Sequence, residues 1–306
     1  LQSAMVVIDN ETGDIAGLVG GLGEKTGSLT FSRATQSRLS PGSAIKPISV
    51  YALALEEGLV TPQTVYDDTP FGTYNGAAWP KNQDGAYHGL TTIETAMAQS
   101  TNTVAVKVLD DLGLRKSFVF ATETMGLTGL VEQTQIGGRD YTDISYGALA
   151  LGGLTRGVTV KSLTEAYAAF ASGGRYRSAR TYTQVLDRDR QVILDNPQDD
   201  YTAVSAKTAW YLTDMMQHTV ERGSGIDARM ENMAVAGKTG TTSNDQDRWF
   251  AGYTPYYTGV VWCGYDDPEE VVLTDSSTNP AIVLWQKVME QVHDGLANKE
   301  FNKPTN

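Results

Sequence analysis

Strand-like segments at both ends of the chain, with helical segments between them, constrain its fold most strongly. Near the amino terminus, apolar runs at 5–8 and 15–19 flank a polar turn containing glycine, which predicts a β-hairpin. Near the carboxyl terminus, residues 233–237, 248–253 and 257–265 have the pattern of three short strands. We therefore predict an α+β fold in which one mostly antiparallel sheet is built from both chain ends and flanked by helices.

The middle of the chain is predicted to be mainly helical. Residues 61–89 are an exception, because they are rich in Pro, Gly, Asn, Asp and aromatic residues and lack clear periodicity; such long irregular segments often line a site. We expect one domain, 1–306, with a largely helical insertion at about 60–173. Helical patterns cover residues 47–58, 90–112, 114–125, 159–172, 205–220 and 280–297.

Composition excludes several classes of function. The 306 residues carry a formal net charge of −12 at pH 7 and no basic patch, which argues against a nucleic-acid surface. The three histidines share no metal-ligand spacing, so we expect no metal site, and no cofactor is predicted. The single cysteine, Cys263, lies in an apolar run and is expected to be buried in the core.

The sequence also gives expectations about targeting. No stretch reaches the roughly 18 to 20 apolar residues that span a bilayer, and no signal peptide is recognisable, so we expect a soluble chain. The sequence begins directly in a strand-like segment, which predicts that an upstream portion of the protein precedes it.

Ser43 and Lys46 form the first candidate for chemistry. They lie three residues apart at a predicted helix start, so the lysine amine can reach the serine hydroxyl on one helical face. Gly42 allows a sharp turn into the helix, and the first turn offers free N–H groups to an oxyanion. Pro47 cannot donate to the Ser43 carbonyl, a local conflict typical of functional sites. The pattern favours acyl transfer, although an isolated S-x-x-K is more often an ordinary capped helix start.

Two further triplets supply groups that a serine–lysine pair lacks. In the helical middle, the Ser100 hydroxyl could relay a proton and the Asn102 amide could hold a peptide-like group. On a predicted strand, a lysine and two hydroxyls could bind a substrate carboxylate, while a glycine lets the substrate backbone approach closely. These strand residues are Lys238, Thr239, Gly240 and Thr241.

Each triplet has a duplicate elsewhere in the sequence. Lys25-Thr26-Gly27 repeats the K-T-G, but it lies in a glycine-rich loop with no strand leading into it. Ser277-Thr278-Asn279 repeats the S-T-N immediately before Pro280, where we expect it to cap the final helix. Context and order therefore favour Ser100 and Lys238.

The order S-x-x-K, S-x-N, K-T-G-T resembles the signature of penicillin-binding proteins and serine β-lactamases. The similarity covers nearly the whole chain and is strongest to the transpeptidase domain of class A, bifunctional penicillin-binding proteins. Such proteins also carry a membrane anchor and a glycosyltransferase domain, neither of which is recognisable in this sequence. Besides the triplets, the resemblance rests on Met5-Val6-Val7-Ile8-Asp9, Arg33-Ala34-Thr35-Gln36, Ala148-Leu149-Ala150-Leu151-Gly152 and Gly252-Tyr253-Thr254-Pro255.

The resemblance implies a peptidoglycan D,D-transpeptidase at the extracytoplasmic face of the bacterial cell membrane. Its partners would be stem peptides ending in D-Ala-D-Ala and β-lactam antibiotics. The catalytic residues would be Ser43 as nucleophile, Lys46 as its base, Ser100 as proton relay and Lys238 as the electrostatic partner of that relay. Substrate contacts would come from Asn102, Thr239, Gly240 and Thr241, with an oxyanion hole formed by the backbone N–H groups of Ser43 and Thr241.

Two alternatives share the same motifs. A D,D-carboxypeptidase would pass the acyl group to water rather than to an amine, and a penicillin-sensing receptor domain would use acylation as a signal. One mild departure is Ala44-Ile45, where the family often carries Ser or Thr and then Phe, so the pocket is expected to be packed differently. No E-x-x-N stretch lies between the S-x-N and K-T-G motifs, which argues against efficient hydrolysis by an activated water.

Overall fold

The computed structural model of the chain describes residues 1–25, 27–273 and 278–305. Its strands are β1 (Gln2–Asp9), β2 (Ile15–Val19), β3 (Val65–Asp68), β4 (Gly72–Tyr74), β5 (Ala77–Trp79), β6 (Gly89–Thr92), β7 (Thr134–Ile136), β8 (Arg139–Tyr141), β9 (Arg175–Arg177), β10 (Gln184–Leu186), β11 (Val192–Asp195), β12 (Asp200–Thr202), β13 (Ala236–Thr241), β14 (Asp247–Tyr253) and β15 (Tyr257–Gly264). The α-helices are α1 (Leu53–Glu56), α2 (Ile93–Ala98), α3 (Asn102–Leu112), α4 (Leu114–Val119), α5 (Tyr146–Leu149), α6 (Val160–Ala171), α7 (Ala206–Arg222) and α8 (Pro280–Val292).

The largest sheet joins the two ends of the chain. Its strand order is β13-β14-β15-β1-β2, and every neighbouring pair is antiparallel. Strand β1 pairs with β15 along its whole length, from Gln2 opposite Gly264 to Asp9 opposite Tyr257. The predicted α+β class with a sheet from both termini is confirmed.

Side chains that alternate along β1 enter two separate cores, because successive residues of a strand point to opposite faces. Ala4 and Val6 belong to the larger core, which the sheet shares with most of the helices. Met5 and Val7 belong to a smaller core on the other face, where α8 contributes the fully buried Trp285. The sheet is therefore covered on both faces. Its edge strand, β13, contacts helices of the rest of the molecule.

The segment predicted as a helical insertion contains α2 to α6 together with three small two-stranded sheets, β3–β6, β4–β5 and β7–β8. Its boundaries at about 60–173 stay a prediction.

Cys263 is buried, as expected from its apolar neighbours. Within the described ranges, no helix combines the length and hydropathy needed to cross a bilayer.

Candidate active site

A glycine places the Ser43 segment directly against the edge strand. Gly42 has a φ of +54°, and a Cβ at this position would lie 2.4 Å from the Thr241 carbonyl oxygen. On its other side, a Cβ at Gly152 would lie 2.1 Å from the Gly42 carbonyl oxygen. The backbone at Gly42 is thus held between two other backbone segments, which any side chain would force apart. This close approach puts Ser43 beside β13.

The helical segment that begins at Gly42 changes its winding at Pro47. Residues Gly42–Ile45 form a 3-10 turn in which the Lys46 N–H donates to the Ser43 carbonyl. The Ser43 carbonyl is therefore satisfied without Pro47, and the helix continues in a π-helical turn, Pro47–Ala52, before α1. The conflict predicted at Pro47 is resolved by this change of winding.

The Lys46 ammonium group is completely buried and donates three hydrogen bonds to the S-x-N triplet. Its acceptors are the Ser100 carbonyl oxygen at 2.8 Å, Ser100 Oγ at 3.4 Å and Asn102 Oδ1 at 2.6 Å. Among the described residues the Ser43 hydroxyl has no hydrogen-bond partner, so the direct contact with Lys46 that helical spacing allows is not formed here. Catalytic hydrogen bonds are often loose without substrate and tighten in the reacting complex.

Burial changes the protonation chemistry of both lysines near Ser43. Desolvation lowers the pKa of Lys46 well below its usual value, and repulsion from the Lys238 charge lowers it further. Burial lowers the pKa of Lys238 to about 7. A lowered pKa widens the pH range over which a lysine is neutral, and the neutral amine is the state that can accept a proton.

The S-x-N triplet lies at a break between two helices. The single helix predicted at 90–112 is wrong: residues 89–92 form β6, α2 ends at Ala98, and α3 begins at Asn102. Ser100 lies in the break with a φ of +59°, and its side chain is buried. Thr92 caps α2, because its side chain accepts from the Thr95 N–H. The break lets the Ser100 carbonyl and hydroxyl both face Lys46, since neither is tied into a helix.

The K-T-G-T residues occupy β13, an edge strand of the large sheet. Lys238 is completely buried, and its Nζ donates to the Thr239 carbonyl oxygen at 3.3 Å. The Thr239 hydroxyl shares a 2.9 Å hydrogen bond with Ser224 Oγ. A Cβ at Gly240 would lie 2.2 Å from the Pro41 carbonyl oxygen, so glycine allows β13 and the Ser43 segment to touch. An edge strand with free backbone groups can pair with an extended peptide.

These segments enclose a polar cleft of about 380 Å³. Five predicted site residues line it: Ser43, Ser100, Asn102, Thr239 and Thr241. Lys46 and Lys238 lie buried, hydrogen-bonded to residues of the cleft wall. The structure thus brings together all of the predicted catalytic and substrate-binding residues.

Other lining residues were not predicted individually. Trp79, Pro80, Lys81 and Gln83 come from the 61–89 segment, whose composition had indicated a site-lining loop. Leu151 and residues 242–245 complete the wall. The signal for Leu151 was its place in the run 148–152, which the resemblance had included without a role.

The described residues of the duplicate triplets are not among those that line the cleft. Lys25 and Gly27 are exposed, and Thr26 lies outside the described residues. Asn279 caps α8, with its side chain accepting from the Ala281 N–H at 2.9 Å, as predicted. Ser277 lies outside the described residues.

Comparison with known proteins identifies the family to which the chain belongs. The model of the penicillin-binding protein transpeptidase domain matches residues 3–281. The chain belongs to this family. Penicillin-binding protein 1A of Clostridium acetobutylicum is 34% identical over 314 residues, covering 99% of this chain and 37% of the relative. Penicillin-binding protein 1F of Bacillus subtilis is 32% identical over 315 residues, covering 100% of this chain and 40% of the relative. The chain therefore spans less than half the length of these curated relatives.

Solved structures of this family share the fold. The PonA1 protein from Mycobacterium tuberculosis, in complex with penicillin V, superposes with a TM-score of 0.79 at 25% identity, covering 99% of this chain and 81% of that one. Penicillin-binding protein 1A from Haemophilus influenzae gives a TM-score of 0.80 at 21% identity, covering 99% of this chain and 49% of that one. The resemblance to the class A transpeptidase domain is confirmed.

Proposed function

We propose that the chain is a D,D-transpeptidase domain that cross-links peptidoglycan stem peptides through an acyl-enzyme at Ser43. The observation that carries the proposal is the position of Ser43 in a polar cleft between an edge strand and a buried lysine whose pKa is lowered. That combination supplies a nucleophile, a base and a strand on which a peptide can lie. Membership of the family and the penicillin V complex of PonA1 support it.

Acylation would proceed by transfer of the donor peptide to Ser43 with release of D-Ala. Neutral Lys46 takes the hydroxyl proton, and Ser43 Oγ bonds to the carbonyl carbon of the penultimate D-Ala. The backbone N–H groups of Ser43 and Thr241 hold the oxyanion of the tetrahedral intermediate. Collapse breaks the peptide bond, and the leaving amine receives its proton through Ser100 Oγ, which lies 3.4 Å from Lys46 Nζ.

Substrate orientation would come from β13. Thr239 and Thr241 line the cleft, and their hydroxyls would bind the terminal carboxylate, with the partly charged Lys238 buried behind them. The Asn102 side chain has one N–H left for the substrate amide, because its Oδ1 accepts from Lys46 and its Nδ2 donates to the Lys81 carbonyl oxygen. An amine from a second stem then attacks the ester and restores the Ser43 hydroxyl.

The wider setting of the domain is part of the proposal. Relatives more than twice as long as this chain, described as penicillin-binding proteins 1A, favour a membrane-anchored parent with a glycosyltransferase domain. The transpeptidase domain would then work at the extracytoplasmic face of the cell membrane, where stem peptides are exposed. Sequencing the upstream part of the gene distinguishes this organisation from a sensor, which would be joined to transmembrane signalling helices.

Covalent labelling tests the acyl-enzyme. Incubation with a fluorescent penicillin is expected to add one adduct to the intact mass, and Ser43→Ala is expected to abolish it because the variant lacks the hydroxyl that would attack the β-lactam carbonyl. Lys46→Ala is expected to slow labelling by a factor on the order of 10² to 10⁴, the usual contribution of a positioned base. Lys25→Ala serves as the control at an exposed lysine and is expected to label normally.

Turnover of nitrocefin separates the proposed activity from a β-lactamase. Without a base dedicated to water, excess nitrocefin is expected to give about one equivalent of colour change followed by very slow hydrolysis. Each ~1.4 kcal/mol by which the barrier to deacylation stays higher lowers the rate of deacylation tenfold. Adduct formation that survives Ser43→Ala, or rapid multiple turnover, would refute the proposal.

A further inference from the structure

A completely buried carboxylate lies near the active site without touching the cleft. Asp68, the last residue of β3, has no exposed surface. Asn82 Nδ2 donates to both of its oxygens at 2.8 and 2.9 Å, the His88 N–H donates to Oδ2 at 2.8 Å, and the Thr103 hydroxyl donates to Oδ1. All of these donors are neutral. A buried carboxylate held this way fixes its partners, because any donor that moves leaves a costly unsatisfied group.

Two of these partners hold the start of α3. The residue before this helix, Thr101, makes no side-chain capping bond. Instead Asn82 Oδ1 accepts from the Asn102 N–H at 2.9 Å, and Thr103, the next residue, donates to Asp68. One free N–H group at the start of α3, that of Asn102, is thus satisfied from outside the helix, and the Thr103 side chain is held by the Asp68 carboxylate.

The same helix start carries the partner of the catalytic lysine. Asn102 Oδ1 accepts from Lys46 Nζ at 2.6 Å, and Asn102 Nδ2 donates to the Lys81 carbonyl oxygen at 2.8 Å. A chain of hydrogen bonds therefore runs from Asp68 through Asn82 and Asn102 to Lys46. Donation from Asn82 to a carboxylate polarises its amide and strengthens the bond that Asn82 accepts from the Asn102 backbone.

We propose that Asp68 and Asn82 are positioning residues for acylation: Asn82 caps α3 from outside the helix, Asp68 fixes Asn82 and the Thr103 side chain, and together they hold Asn102 against Lys46. Neither residue needs to touch substrate for this role, and neither belongs to the S-x-x-K, S-x-N or K-T-G motif. The inference rests on the proposed acylation of Ser43.

A double-mutant cycle tests whether Asn82 acts through Asn102. Acylation by a fluorescent penicillin is measured in the wild-type chain, Asn82→Ala, Asn102→Ala and the double variant, and is resolved into the dissociation constant of the encounter complex and the first-order acylation rate. Asn82→Ala is expected to slow the first-order rate about tenfold, the usual scale for losing one hydrogen bond to a polar group, with little change in the dissociation constant. The double variant is expected to acylate as slowly as Asn102→Ala and no slower, because coupled residues are not additive.

A second buried carboxylate provides a matched control. Asp143 also has no exposed surface and accepts only from neutral donors, namely the Val131 N–H at 2.8 Å and the Thr155 N–H and hydroxyl at 2.7 Å. None of these donors is linked to Lys46 by a hydrogen bond among the described residues. Asp143→Asn and Asp68→Asn remove the same charge from similar surroundings, so both are expected to lower Tm while only Asp68→Asn slows acylation.

A milder pair of variants applies if Asp68→Asn does not fold. Thr103→Val removes the hydroxyl that donates to Asp68 and is expected to slow acylation several-fold, whereas Thr103→Ser keeps that hydroxyl and is expected to acylate at the wild-type rate.

Two results would overturn the inference and leave the proposed function standing. One is that Asn82→Ala acylates at the wild-type rate, and the other is that the losses of the two single variants add in the double variant. Failure of the wild-type chain to be labelled at Ser43 would overturn the proposed function and the inference together.

Discussion

Two buried lysines, Lys46 and Lys238, lie near Ser43, and their positive charges repel each other. The acceptors that Lys46 and Lys238 contact are neutral oxygens of Ser100, Asn102 and Thr239 rather than carboxylates. A carboxylate beside either lysine would raise its pKa and keep it protonated, whereas neutral acceptors hold the amine in place without that effect. This arrangement leaves the pKa of Lys46 lowered by burial and by the Lys238 charge, as the proposed role of a base requires.

The charge of Lys238 is expected to set the pH range of acylation. In the proposed mechanism neutral Lys46 is the active form, so the rate should rise with pH through the pKa of Lys46. Lys238→Gln removes a positive charge that lowers this pKa, so the pKa rises and the acid limb of the pH–rate profile moves to higher pH. Stopped-flow acylation between pH 5 and 10 measures the limb, with Lys25→Gln as the exposed control. A limb at the same pH in Lys238→Gln would contradict this electrostatic role.

At the scale of elements, the helix that begins at Gly42 is fixed at both ends by glycines with positive φ. Gly42 has a φ of +54° and touches the backbone of β13, while Gly58 ends the segment with a φ of +68° and has no atom within 4 Å of a Cβ. The same backbone conformation is thus crowded at one end and open at the other. Substitutions at these two glycines can therefore separate the effect of backbone strain from the effect of displacing Ser43.

Gly42→Ala is expected to slow acylation at least tenfold, because its Cβ would push the Ser43 segment away from Thr241. Gly58→Ala bears only the strain of a left-handed residue, about 1–2 kcal/mol, and is expected to lower stability while acylating normally. Urea unfolding and the acylation rate are measured for both variants. Equal acylation rates in Gly42→Ala and Gly58→Ala would show that contact with β13 does not position Ser43.

At the scale of the whole molecule, stability depends on pairing strands from opposite ends of the chain. Strand β1 lies inside the large sheet between β15 and β2, and its two faces contribute to both cores. The site strand β13 is connected to β1 only through β14 and β15. Opening of the sheet at β1 therefore removes support from both cores at once.

Hydrogen exchange is expected to show β1 and β15 as one cooperative unit. Their amides should exchange with the same free energy, equal to that of global unfolding, because neither strand can leave the sheet without exposing both cores. The exposed hairpin β10–β11 should exchange much faster and serves as the internal control. Native-state exchange read by mass spectrometry tests this, and faster exchange in β1 than in β15 would contradict it.

The sequence alone determined the features that depend on neighbouring residues. The apolar run at 5–8 beside a polar turn predicted β1 and its place in a sheet from both ends, and the spacing of Ser43 and Lys46 put them on one helical segment. Tertiary packing decided the rest: the helix break at Ser100, the acceptors of Lys46 and the buried Asp68. Asp68 and Lys46 are joined across separate segments whose approach depends on the packed core, so no local pattern in the sequence could reveal that connection.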